Sequence, residues 1–130
     1  MYVVHNIVQG PFKDEAAFKA AVIKEWNKKS LYYTRFEIEN EEKEPGMPDV
    51  LSISGKRSCP AYFTEFKRSD EKGVIKFEKT QPLFYRQHND LPIEILAWDV
   101  PRNRVVLITP EEVVEAKALR IAIPDELKCY

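Results

Sequence analysis

Gly46-Met47-Pro48-Asp49-Val50-Leu51-Ser52-Ile53-Ser54 and, after a short connection, Ala61-Tyr62-Phe63-Thr64-Glu65-Phe66-Lys67-Arg68 decide how this chain folds. Both runs carry the β-branched and aromatic residues of strands, and Gly55-Lys56-Arg57-Ser58 supplies the turn between them. Residues two apart on a strand share a face, so Phe63, Glu65 and Lys67 project together while Tyr62, Thr64 and Phe66 take the other side. If the runs are neighbours, the Asp49 carboxylate comes alongside Glu65. Two adjacent carboxylates repel unless a cation or a proton lies between them. A hard divalent ion is held by one or two carboxylates, with waters and substrate phosphate oxygens completing its shell. Asp49 and Glu65 suffice for that, and the Phe66 carbonyl offers a third ligand. Lys67 beside the ion would orient or help deprotonate an attacking water, or stabilise negative charge growing on phosphorus.

Working outward, Lys13 to Lys29 has the pattern of a helix, with Asp14 and Glu15 at its N-terminal dipole and lysines in its last turn. Phe18, Ala21, Val22 and Trp26 form one apolar stripe at 3.6-residue periodicity, and Glu25 falls inside it. A charge there is costly unless paired, whether by a site or by Lys28 or Lys29. Tyr2 to Val8 fits a short strand or an irregular arm. Leu31 to Glu39 alternates as a half-buried strand. In Gly73 to Asn89 a helix starts near Thr80 as cap, with Pro82 tolerated in its first turn, or earlier at Phe77. The second register lines up Phe77, Gln81, Phe84, Tyr85 and His88. Ile93 to Val100 and Arg104 to Thr109 form a hairpin through Pro101-Arg102-Asn103. Thr109-Pro110-Glu111-Glu112 is a capping box that opens a helix to about Ala118. The later apolar residues Ile121, Ile123 and Leu127 either return to the body or meet a partner.

At 130 residues the chain is expected to be one domain, able to bury roughly two-thirds of its unfolded surface. A net charge of −1 gives no global attraction to nucleic acid, so binding has to rest on local basic clusters. Lys56, Arg57, Lys67, Arg68, Lys72, Lys76, Lys79 and Arg86 gather in the central third, whereas Glu37 to Glu44 is acidic. Cys59 and Cys129 make neither a disulfide scaffold nor a metal motif, and a reducing cytoplasm is the expected setting. No stretch approaches a membrane span in length. A Gly-x-Ser-x-Gly elbow and a Gly-rich phosphate loop are both missing, which removes serine hydrolases and the common nucleotide-dependent enzymes.

Pro48-Asp49 and Glu65-Phe66-Lys67, sixteen positions apart (65 minus 49), lie on successive strands between two helices. In this the chain resembles the PD-(D/E)XK nuclease superfamily, which includes restriction endonucleases and Holliday junction resolvases, the latter being the nearest analogy. The resemblance spans about residues 13–109 and leaves 110–130 as a C-terminal helix and tail. It implies an α/β, restriction endonuclease-like core: a central mixed β-sheet flanked by helices. It also implies a Mg2+- or Mn2+-dependent endonuclease that hydrolyses DNA phosphodiester bonds, structure-specific and homodimeric in the manner of the resolvases. Asp49 and Glu65 would bind metal with the Phe66 carbonyl, Lys67 would position water, and Glu25 would match the first-helix acid that reaches the metal or its waters. Gln81 would match the glutamine that many members carry near the site, orienting substrate or Lys67; otherwise it is an amide that caps backbone. Lys56, Arg57, Arg68, Lys79 and Arg86 are the expected nucleic-acid contacts. Two other readings stand beside this one. The first is a catalytically silent domain of the same fold that binds nucleic acid or a protein. The second is a small interaction module whose contact is made by Trp98 and the C-terminal apolar residues.

Overall fold

The structure, a computed structural model, describes residues 2–29, 33–38, 44–54 and 61–129. In chain order its elements are β1 (Val3–Val4), α1 (Glu15–Lys29), β2 (Tyr33–Glu37), β3 (Val50–Ser54), β4 (Tyr62–Arg68) and β5 (Val74–Lys76). They continue with α2 (Thr80–Gln87), β6 (Ile93–Asp99), β7 (Arg104–Ile108), α3 (Pro110–Glu115), β8 (Arg120–Ala122) and β9 (Lys128–Cys129). Seven strands form one mixed sheet in the order β2-β3-β4-β6-β7-β1-β9, and β5 pairs with β8 in a separate two-stranded ribbon. Most neighbours in the large sheet are antiparallel, but β1 runs parallel to β9 and β4 to β6, with α2 on the connection between β4 and β6. Among the described residues no helix is long and apolar enough to cross a membrane.

Period-two alternation sends the apolar residues of the central strands to two cores. Val50, Phe66, Leu96, Trp98 and Val105 pack with Phe18 and Val22 of α1 on one face. Ile95, Ala97, Val106 and Ile108 pack with Phe84 and Tyr85 of α2, Val113 of α3 and the β5–β8 ribbon on the other. Phe18 stacks edge-on against Phe66 at 5.8 Å, and Trp98 against Phe12 at 5.1 Å. Fully burying side chains such as Phe18 and Val22 is worth about 1.5–3 kcal/mol each, which holds α1 to the sheet. The capping box of α3 is formed: Thr109 Oγ1 accepts from the Glu112 amide at 3.3 Å, and Glu112 Oε1 accepts from the Thr109 amide at 3.0 Å. The helix ends at Glu115 rather than near Ala118, because the chain turns extended at Ala116, makes a 3-10 turn over Lys117–Leu119 and then enters β8. Thr80 is the first residue of α2, not its cap; Lys79 precedes it without a side-chain capping bond.

Glu94, on β6, lies beside Thr64 in the β4–β6 pairing and accepts its hydroxyl at 3.0 Å. Burial raises its pKa, and the Thr64 hydrogen bond offsets only part of that. A carboxyl that holds its proton more tightly when folded loses stability as pH rises from the unfolded value through the folded one. Glu94→Gln keeps an acceptor for Thr64 and removes the charge. Its Tm is therefore expected to exceed that of the parent at pH 7. The gain should shrink towards zero near pH 4, where both states of the parent are protonated, as thermal scans across that range would show.

Candidate functional site

The β3–β4 register pairs Val50 with Thr64 and Leu51 with Phe63. One step further along the same antiparallel register sets Asp49 opposite Glu65. Asp49 is held there by backbone: its amide donates to the Thr64 carbonyl at 3.1 Å, and its Oδ2 accepts from the Phe66 amide at 3.3 Å. Glu65 is 5% exposed, and its Oε1 accepts from Gln81 Nε2 at 3.0 Å. Gln81, also buried, has its amide orientation fixed because its Oε1 accepts from the Glu78 amide at 2.9 Å. The glutamine thus positions Glu65 rather than Lys67. Phe66 lines the cleft while its ring sits in the α1-side core, so its contribution to the cleft wall is backbone.

Gly46 brings the Asp49 segment against α2. Its φ is +86°, and a Cβ there would lie 2.0 Å from the Thr80 carbonyl oxygen, so no side chain fits. Gly46→Ala is expected to push the loop off the first turn of α2 at a cost of about 1–3 kcal/mol, read as a fall in Tm. Any activity of the cleft should fall with it, because Asp49 and the Gln81–Glu65 pair are registered through this contact.

The cleft encloses about 480 Å³ and is lined by Glu15, Glu44, Asp49, Glu65, Lys67, Glu78 and Gln81 among others. Among the described residues of its lining, five carboxylates face one lysine, a balance that favours a bound cation. Lys67 Nζ lies 5.3 Å from the centroid of the Phe77 ring. Glu15, in the first turn of α1, has its pKa raised by burial and by Asp49, against the pull of Lys67, the Arg68 amide and Lys19. Among the described residues no three His, Cys, Asp or Glu side chains form a ready metal cage. Asp49 and Glu65 supply two carboxylates, the number a magnesium-type ion commonly takes from protein.

Asp49, Glu65, Phe66, Lys67 and Gln81 thus share one cleft. Glu25 is not part of it. It lies ten residues along α1 from Glu15, about 15 Å, and its carboxylate pairs with Lys29 at 3.5 Å. The α1 acid in the cleft is Glu15. Tyr85 also went without a role in the sequence. Its buried hydroxyl has no hydrogen-bond partner among the described residues. Burial, then the charges of Glu65 and Asp49, push its pKa far above the usual phenol range. The signal available was its position four residues after Gln81, on the same side of one helix.

The expected nucleic-acid contacts are scattered. Lys56 and Arg57 lie outside the described residues. Arg68 stacks over Trp98 at 5.4 Å and pairs with Glu71 at 3.4 Å. Lys79 is exposed between the cleft-lining Glu78 and Thr80, and Arg86 lines a separate hollow between α2 and α3. Comparison with protein-family models, curated proteins and solved structures found no match to this chain.

Proposed function

We propose that the cleft is the active site of a magnesium- or manganese-dependent DNA endonuclease with a restriction endonuclease-like core. The observation that carries this is the convergence of Asp49, Glu65 and Lys67 from two paired strands on one acidic cleft, with Glu65 held by Gln81. Asp49, Glu65 and the Phe66 carbonyl would hold the ion, which when bound activates water and offsets charge on the scissile phosphate. Lys67, on the same face of β4 as Glu65, positions the attacking water and meets negative charge as it grows on phosphorus. Gln81 keeps Glu65 in one rotamer, so little reorganisation accompanies reaction. Glu15, whose carboxyl is pushed above the usual range by burial and by Asp49 against the pull of Lys67, is placed to take up or relay a proton in the cleft. A branched substrate, action as a homodimer and a cytoplasmic setting are parts of the same proposal, by analogy with junction resolvases.

The test is incubation of purified protein with supercoiled plasmid, linear duplex and a four-way junction, with and without Mg2+ or Mn2+, alongside Lys67→Ala. Metal-dependent cutting by the parent and none by the variant is the expected result. Cutting that survives in Lys67→Ala would overturn the assignment. A parent that shifts labelled DNA but never cuts it would establish the silent-binder alternative instead.

A further inference from the structure

A broad hollow lies away from the cleft, between the C-terminal half of α1 and β2. It encloses about 940 Å³, and its lining includes Lys24, Asn27, Lys28, Tyr33, Thr34 and Arg35. Lys24 and Lys28 are one helical turn apart, which places their Cβ atoms about 5–6 Å from each other on one side of the groove. Arg35 forms the other side. Its guanidinium is stacked over Trp26 at 4.9 Å and Tyr33 at 5.3 Å, and its Nη1 donates to Asn27 Oδ1 at 2.9 Å. The arginine charge is thereby fixed before any ligand arrives, which lowers the entropy lost on binding.

Two described acids near this face, Glu37 and Glu25, are already engaged. Glu37, the one carboxylate among the described residues lining the groove, pairs with Lys19 at 3.1 Å, and Glu25 pairs with Lys29 at 3.5 Å. Lys24 and Lys28 have no ion-pair partner among the described residues. Among the described residues this leaves three cations, Lys24, Lys28 and Arg35, along an open groove, a surface complementary to a chain of evenly spaced negative charges.

We infer that the α1–β2 groove binds the sugar–phosphate backbone of nucleic acid outside the cleavage site; the identity of this ligand rests on the endonuclease reading above. Glu15 and Lys28 are thirteen residues apart on α1, so groove and cleft are about 20 Å from each other along the helix. At 3.4 Å per nucleotide step, that corresponds to roughly six base pairs. Two lysines and a stacked arginine engage phosphate and read no base edge, so the contact is independent of sequence. The substrate is therefore a polymer or an arm extending at least that far from the cut, not a short end.

The experiment uses Lys24→Gln/Lys28→Gln, two exposed helix positions outside the cleft, and a fluorescein-labelled 20-base-pair duplex followed by anisotropy without divalent metal. Each lost phosphate contact lowers the slope of log K against log salt by about 0.9, so the double variant should lose nearly 2 from its slope. Its affinity at 0.1 M salt should fall at least about tenfold. Hydrolysis of thymidine 5′-p-nitrophenyl phosphate with Mg2+, a substrate too short to span both sites, should match the parent, while KM for the duplex rises and kcat holds. An unchanged slope and affinity would overturn the groove assignment and leave the nuclease reading intact. Polyglutamate that displaces the duplex as well as unlabelled DNA of equal charge would also overturn it, pointing to an acidic polypeptide. A parent that cuts nothing while the variant still loses DNA affinity would separate the two claims the other way, removing the nuclease and keeping the groove.

Discussion

Asp49→Asn is expected to abolish metal-dependent cleavage, a loss of at least about 10³-fold, while the protein melts at the same temperature or slightly higher. The asparagine oxygen can still accept from the Phe66 amide, which the carboxylate does at 3.3 Å, so the backbone anchor survives. One negative charge is removed opposite Glu65, and without metal that relieves repulsion. Activity and stability thus move independently, which a purely structural acid would not allow. Gln81→Ala should fall between Asp49→Asn and the parent, losing about 10–100-fold, because it frees the Glu65 rotamer without removing a ligand. Cleavage rates at saturating Mg2+, read beside thermal scans without metal, give both axes. An Asp49→Asn protein that fails to fold would show that the aspartate is part of the scaffold.

The largest effect on stability is expected at the turn of the β6–β7 hairpin. Asp99 is fully buried and accepts from Arg102 Nη1 at 3.1 Å and from Arg104 Nε at 2.8 Å. The same arginines hold the C-terminal segment: Arg102 Nε donates to Asp125 Oδ1 at 2.8 Å, Arg104 Nη1 donates to the Asp125 carbonyl at 3.0 Å, and Arg104 Nη2 donates to the Pro124 carbonyl. Asp99→Ala takes from two half-buried guanidiniums the buried carboxylate they share, leaving them the exposed Asp125 and backbone carbonyls, at a cost of about 3–5 kcal/mol. For a domain of this size that lowers Tm by roughly 10–20 °C. Asp125→Ala removes only an exposed partner and should cost no more than about 1 kcal/mol. Equal losses in the two variants would mean that the cluster is held by something other than the Asp99 carboxylate.

The strands that form the cleft were legible because alternation and register are local. Glu65 and Lys67 share a face by periodicity alone, and the Asp49 partner follows once β3 and β4 are adjacent. The α3 cap was legible for the same reason, since Thr109 and Glu112 interact across three residues. The α1 acid was not. A helical stripe tells which side of α1 faces inward but not which turn lies beside the ends of β3 and β4. Glu15 looks like a residue serving the helix dipole, and Glu25 looks misplaced until its bond to Lys29 is seen. The β5–β8 ribbon was also hidden. Val74–Lys76 is three residues long, and Ile75 finds its partner Ile121 far downstream. Tyr85 sat in the expected apolar stripe, where nothing distinguishes a core tyrosine from one whose hydroxyl lies near two carboxylates.

Val3 pairs with Leu107 and Val4 with Val106, and β9 then adds to the outer side of β1. These contacts close the longest loops in the molecule, whereas β3, β4 and α2 are joined within a few dozen residues. During synthesis the cleft half can therefore gather while the ribosome still holds the remainder, and the flank carrying β1 is sealed last.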